Sequence, residues 1–256
     1  MFEHIVPINQ DRHRDKKVRP IESYAFARGI HVASLMLNEF PIAAPVFPIV
    51  FLEQPGSEDF LAAVLLGFKA GENLFVDGNG QWTASYVPAM ICRYPFALAR
   101  TEEEGRFSLC IDEASGLLGD ETGQPLFQDN GAPGEIVEKA KRYLIELQQM
   151  EQMTAAFCRK LKEKNMLAPL NVRVREEGTL RNVTGCYAVN EDRLGGLSDQ
   201  AFLELRTSQY LPALYSHLIS LAQIERLIRA RESAAPSGQR EPETKTAPGD
   251  QQPYLN

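Results

Sequence analysis

The chain has 256 residues, 44% of them hydrophobic and 24% charged, enough to fill one large core or two small ones. Its 27 basic and 34 acidic side chains leave a net charge of −7, which argues against a nucleic-acid groove. No apolar run approaches the roughly 18 residues of a membrane span.

The first 30 residues read as polar and irregular. Arg12, Arg14, Lys16, Lys17 and Arg19 crowd this stretch and are expected to form a solvated lead-in segment. Between Phe2 and Gln10, apolar residues are interrupted by Glu3, His4 and Pro7, with no small-residue cleavage site after them. Cys92, Cys110, Cys158 and Cys186 are widely spaced and form no C-x-x-C pair. Reduced thiols in a cytoplasmic protein are therefore the expectation.

From His31 the texture changes. HVASLMLNEF and FPIVFLE read as two strand-length apolar runs, and Pro41, Pro45 and Pro48 argue for edge strands or bends rather than helix. Pro45–Pro48 matches a P-x-x-P ligand in form, but its apolar flanks favour a half-buried bend. Leu61 to Phe68 is assigned to a strand. Asn73 to Val76 then leads into Asp77-Gly78-Asn79-Gly80, whose Asp-Gly and Asn-Gly pairs suit a tight hairpin turn. Trp82 to Ile91 is expected as the returning strand, with Trp82, Ala84 and Tyr86 on one face. Arg106 to Asp112 reads as a further strand, and Gly116 to Asn130 as a glycine-rich connector.

After Pro133-Gly134, glycine and proline vanish as far as Lys164. Ile136, Ala140, Leu144, Leu147, Thr154, Phe157, Cys158 and Leu161 recur at helical spacing, as one long helix or two. Asn171 to Arg175 alternates as a strand, residues 176–178 turn, and Thr179 to Val189 returns through Gly185. Ser198 is placed to cap a short helix carrying Phe202 and Leu205. Pro212 suits the first turn of a last helix with Leu214, Tyr215, Leu218, Leu221, Ile224 and Leu227 as its stripe. The remaining 25 residues, 232–256, are poor in apolar side chains and expected to be disordered.

The fold class is therefore α+β: a β-rich N-terminal half with a tight hairpin, then helices and a second small β unit, and a disordered C-terminal tail. The boundaries fall at 1–132, 133–231 and 232–256, with the two ordered halves packed together as one integrated domain.

Most chemistry that can be sought in a sequence finds no pattern here. His4, His13, His31 and His217 form no close pair for a metal, and the cysteines lack zinc spacing, so no metal and no cofactor is expected. No G-x-G-x-x-G opens a helix, no G-K-[ST] occurs, and no G-x-S-x-G elbow exists. The cysteines lie in apolar surroundings, where a thiol is usually inert. Asn182-Val183-Thr184 matches a glycosylation acceptor and is read as chance.

What survives is the stretch from Gly71 to Phe96. Trp82 and Tyr86 share a face, and Arg93 offers a planar fork for a carboxylate, with Glu39, Glu72, Asp77 and Asp112 as candidate partners. Asp77, Trp82, Tyr86, Arg93 and Tyr94 form the expected ligand-binding set. The alternative makes the rings core anchors and Arg93 one half of a structural ion pair.

The same stretch resembles the signature of the bacterial SapC family. The resemblance rests on Gly71 to Asp77, the glycine turn, Trp82, Tyr86-Val87-Pro88-Ala89 and Arg93-Tyr94-Pro95-Phe96. Further matches include His13, Tyr24-Ala25-Phe26, Glu39-Phe40, Pro48 to Phe51, Leu66-Gly67-Phe68, Pro125-Leu126-Phe127 and Ser220-Leu221, over roughly residues 4–229. Cys92 departs from the pattern, which puts a second arginine before Arg93. That departure weakens any two-arginine anion clamp. The resemblance implies a role in bacterial surface layers or peptide handling and supplies no catalytic residue. Two readings follow. One is a soluble, non-catalytic protein whose partner is a peptide or envelope protein, with no nucleic acid and no membrane span. The other is a peptide-modifying enzyme, or its partner, with Asp77, Tyr86 and Arg93 lining the site.

Overall fold

A computed structural model describes residues 1–54, 56–100, 107–176 and 179–234. In chain order, β1 (Ile5–Pro7), α1 (Gln10–His13) and β2 (Lys17–Val18) open the chain. β3 (Val32–Ser34) is followed by a 3-10 turn at Leu37–Glu39 and α2 (Phe40–Ala43), then by β4 (Ile49–Glu53) and β5 (Phe60–Leu65). α3 (Ala89–Cys92) precedes β6 (Phe96–Arg100), β7 (Phe107–Asp112) and the short β8 (Leu118–Gly119) and β9 (Gln124–Pro125). The long α4 (Glu135–Glu163) leads to β10 (Leu167–Pro169), β11 (Val172–Glu176), β12 (Thr179–Val183) and β13 (Cys186–Val189). Four helices follow: α5 (Glu191–Gly195), α6 (Asp199–Thr207), α7 (Leu211–Ser220) and α8 (Gln223–Ala234). The mixed class, β-rich first and helical later, is the expected one.

The main sheet is antiparallel with strand order β10-β13-β4-β5-β3, so strands from the C-terminal half complete a sheet begun in the N-terminal half. One of its faces packs Phe51 and Val64, with Phe47 from the bend ahead of β4, against Phe40 of α2, Phe157 and Leu161 of α4, Leu205 of α6 and Leu214 of α7. On the other face, Val50, Leu65 and Cys186 meet Leu227 of α8. A second sheet, β1-β7-β6, shares a separate core with the first half of α4, through Phe96, Ile111, Leu144 and Leu147. α4 thus serves two cores: Val137 to Leu147 face one, and Phe157, Cys158 and Leu161 the other. At 29 residues it is one unbroken helix of about 43 Å at 1.5 Å per residue.

Four local expectations are revised. Pro41 does not exclude helix, because it occupies the first turn of α2, where its missing N–H costs nothing. The basic lead-in is built into the fold: Arg12 reaches Glu113 at 2.5 Å, Lys16 reaches Asp120 at 2.7 Å, and Arg19 donates to the Gly116 carbonyl. β2 also lies between β8 and β9, which fall inside the expected connector. The return strand after β11 is cut at Gly185, whose φ of 86° turns the chain away so that β13 joins the main sheet instead.

Other readings hold as made. Ser198 caps α6 by accepting from the Ala201 N–H, and Phe47 and Pro48 form a buried bend. Two further expectations are corrected: the single last helix is two, α7 and α8, and α8 runs to Ala234, three residues into the stretch 232–256 expected to be disordered. The expected tail from 235 onward, and the turn at 177–178, lie outside the described residues.

Candidate functional site

Gly71 to Phe96 folds as a turn-rich loop braced from beneath, not as a strand pair. Its tight turn is present, with an antiparallel bridge between Val76 and Trp82 and the Asp77 N–H donating to the Gln81 carbonyl at 3.0 Å. Asp77 Oδ1 accepts from the N–H groups of Asn79 (2.9 Å) and Gln81 (2.8 Å), so this carboxylate is spent on its own turn. Gly80 has φ 82°, and a Cβ there would stand 2.2 Å from Ser23 Oγ. Glycine lets residues 23–25 lie directly against the turn, where the Tyr24 N–H donates to the Gly80 carbonyl at 2.7 Å. Arg28 adds donations to the carbonyls of Asp77 and Gly78.

Beyond Trp82 the chain leaves the strand path, and the expected return strand is absent. The Trp82 indole N–H donates to the Tyr86 carbonyl, four residues on, at 2.7 Å. The Tyr86 hydroxyl donates to Glu39 Oε1 at 2.5 Å. The buried Glu39 carboxylate also accepts from the N–H groups of Ala89 (2.9 Å) and Met36 (2.8 Å), so it clamps the start of α3 to the 3-10 turn below. Tyr143 of α4 braces the same helix by donating to the Ala89 carbonyl at 3.1 Å.

Electrostatics follow from this packing. Burial, the hydrogen bond to Glu39 and its charge together push the Tyr86 phenol far above the usual tyrosine range. Burial raises Tyr143 to about 12, with Cys92 and Glu39 adding to the effect. Burial and the charges of Asp112 and Glu3 raise Tyr94 to about 12. Burial first and Glu39 second hold the Cys92 thiol above its ordinary value, even though Cys92, alone of the four cysteines, is exposed.

Arg93 follows α3 and is half-buried. Its Nε is out of contact with water and has no hydrogen-bond partner. Burial draws its pKa down from the arginine value, opposed by Glu151 and Tyr143. None of the four expected carboxylates pairs with it. Glu39 and Asp77 are committed as above, and Glu72 binds Arg231 at 3.2 Å and the Phe68 N–H at 2.7 Å. Asp112, fully buried, accepts from the N–H groups of Glu3, His4 and Ala114.

What the loop brings together is a run of rings. Trp82 lies 5.6 Å from Tyr24, Tyr24 5.9 Å from Phe26, and Phe26 stacks on Tyr94 at 4.1 Å. Phe2 continues the run 5.4 Å from Tyr94, and the Arg93 guanidinium lies 5.1 Å from the Phe2 ring centre. Tyr94 is buried and the other four rings are partly buried, Trp82, Tyr24 and Phe26 of them against the main core. Of the expected set, Trp82, Tyr94 and Arg93 thus join one surface, while Asp77 and Tyr86 serve as braces. The reading of the sequence missed Phe2, Tyr24 and Phe26. Tyr24-Ala25-Phe26 figured in the sequence only as a match to the family signature, and nothing in spacing ties it to Trp82.

Two clefts open elsewhere. One of about 520 Å³ runs along α6, lined by Gln200, Leu203, Glu204, Thr207 and Ser208. The other, of about 260 Å³, lies between Phe68 and β12. Among the described residues no group of three or more His, Cys, Asp or Glu side chains is gathered to hold a metal ion, and no helix is long and apolar enough to cross a membrane.

No curated protein and no solved structure matches the chain. A family model described as SapC matches residues 8–227, which takes in the loop, Tyr24, Phe26 and Arg93. The chain belongs to the SapC family.

Proposed function

We propose that this protein is a non-catalytic binding protein that takes an extended segment of a peptide or envelope polypeptide, in surface-layer or peptide handling. The observation that carries this reading is the ring run from Trp82 through Tyr24, Phe26 and Tyr94 to Phe2, four of its five rings partly exposed while Trp82, Tyr24 and Phe26 rest on the main core. Rigid aromatic side chains with one wet face supply contact area at small entropic cost, which is why they are enriched where proteins grip partners. The family membership supports the same reading, through the surface-layer and peptide roles that its name implies. The peptide-modifying alternative draws less support, because two of its three site residues are committed: Asp77 to its turn and Tyr86 to Glu39.

The test uses a built-in reporter, since Trp82 is the one tryptophan of the chain. The wild type is expected to capture an envelope or surface-layer polypeptide from its native host, and a peptide from that polypeptide to change Trp82 fluorescence on titration. Tyr24→Ala, which removes a neighbouring ring and keeps the reporter, is expected to weaken the titration about 10-fold, as loss of a central aromatic contact does. Equal affinity in wild type and variant would sink the proposal.

A further inference from the structure

Arg93 carries a guanidinium nitrogen that is buried and unpaired. Its side chain makes no hydrogen bond and no ion pair with a described residue, and its Nε is shut away from water without an acceptor. Buried donors are nearly always paired, and an orphan at a surface site calls for an ion or ligand to complete it. Glu151 and Tyr143 act on it electrostatically without a hydrogen bond to it. What covers the guanidinium is a ring, Phe2, placed for a cation–π contact.

Phe2 is held there by a short strap. β1 pairs with β7 over three residues, Ile5 with Asp112, Val6 with Ile111 and Pro7 with Cys110, flanked by the Ile8 N–H on the Leu109 carbonyl (2.9 Å) and the Glu113 N–H on the His4 carbonyl (3.0 Å). It is an edge strand, and Glu3, His4, Ile5 and Pro7 along it are exposed. Ahead of it, the two oxygens of Asp112 take the consecutive N–H groups of Glu3 (3.0 Å) and His4 (2.9 Å). This is how a receptor holds an added extended peptide: main-chain donors fixed, one aromatic residue seated.

We propose that Arg93 is the anchor for a ligand carboxylate, and that Phe2 with its strand β1 is a displaceable stand-in for the ligand's aromatic residue. The ligand class is then an extended peptide bearing an aromatic residue at or beside an acid. The acid supplies the fork that a guanidinium matches in two parallel hydrogen bonds, and the ring replaces Phe2 against Tyr94. This rests on the peptide-binding reading for the kind of ligand, but it stands on Arg93 and Phe2 rather than on Trp82 and Tyr24.

The test follows the Arg93 Nε–Hε resonance of the full chain, assigned by its loss in Arg93→Lys. The probes are N-acetyl-phenylalanine, its amide, and N-acetyl-aspartyl-phenylalaninamide. They separate a terminal carboxylate from a side-chain one. In Phe2→Ala, an acid probe is expected to bind at least about 5-fold tighter than in wild type and about 10-fold tighter than the amide, with each tenfold step a single good polar contact. Arg93→Lys, which keeps a cation under the ring and is checked by its melting temperature, has no Nε–Hε reporter and is titrated through the backbone amide resonance of Tyr94; it is expected to lose the preference for acid over amide. Binding of either acid over the amide supports the anchor, and the tighter of the two names the source of the carboxylate. Equal binding of acid and amide overturns the anchor, and Phe2→Ala binding no tighter than wild type overturns the strap. If a captured polypeptide still alters Trp82 fluorescence while Arg93 stays silent, the anchor falls and the aromatic surface stands. A responding Arg93 with a silent Trp82 means the reverse.

Discussion

His217 joins three elements through one ring. It projects from α7, its Nε2 accepts the Val189 N–H of β13 at 3.0 Å, and its Nδ1 donates to the Ile49 carbonyl of β4 at 3.0 Å. That pair of partners assigns the neutral tautomer, and full burial lowers its pKa to about 4 from an ordinary 6.5. The unfolded chain therefore binds a proton at pH values where the folded chain does not. Stability from this group is complete above pH 6.5 and is lost as pH falls through 6.5 towards 4. The loss is expected to reach about 3 kcal/mol at 1.36 kcal/mol per unit, read by urea denaturation between pH 7 and 4. A pH profile unchanged in His217→Gln would assign the slope to other groups. Single residues of this kind were hard to find in the sequence. His217, Glu39 and Asp112 serve backbone groups up to 168 residues away, and nothing local marks a carboxylate or imidazole as a clamp.

At the scale of elements, legibility followed the range of the forces involved. α4 was readable because a 3.6-residue stripe depends only on neighbours along the helix, and Ser198 because a cap bonds within its own turn. The loop after Trp82 misled, because the alternation of Trp82, Ala84 and Tyr86 imitates a strand. The indole bond to the Tyr86 carbonyl and the Glu39 clamp bend the backbone instead. The stripe of α4 also grades its residues. Phe157 is fully buried against Phe40, Phe51 and Tyr210, whereas Met153, one turn earlier, is 55% exposed. Phe157→Ala is expected to destabilise by about 3–5 kcal/mol and Met153→Ala by about 0.5 or less, both measured by chemical denaturation. Comparable losses in the two variants would contradict the orientation of the helix.

For the whole molecule, the order of chain and the order of strands disagree. The halves drawn at residue 132 follow composition faithfully, yet the main sheet takes β3, β4 and β5 from one side of that line and β10 and β13 from the other. Such pairing is invisible to any local reading, because register across more than a hundred residues leaves no trace in spacing. A fragment of residues 1–132 lacks both late strands and α4, and so loses the partners of both main cores. It is expected to show no cooperative thermal transition by circular dichroism, while the full chain melts as one unit. A sharp transition in the fragment would mean that the early strands suffice.

The pairing of Leu52 with Cys186 also has a meaning in time. On a ribosome, β4 and β5 emerge together and can close on each other at once. The far edge of β4 waits for the chain to reach β13, on the order of ten seconds at about 5–20 residues per second. Throughout that interval the nascent chain shows an open apolar edge, Ile49 to Leu52, to every neighbour on the same message. Slow translation between residues 66 and 185 would lengthen the exposure, and crowded polysomes would punish it. The yield of this protein should therefore depend on codon speed in that window more than on its final stability.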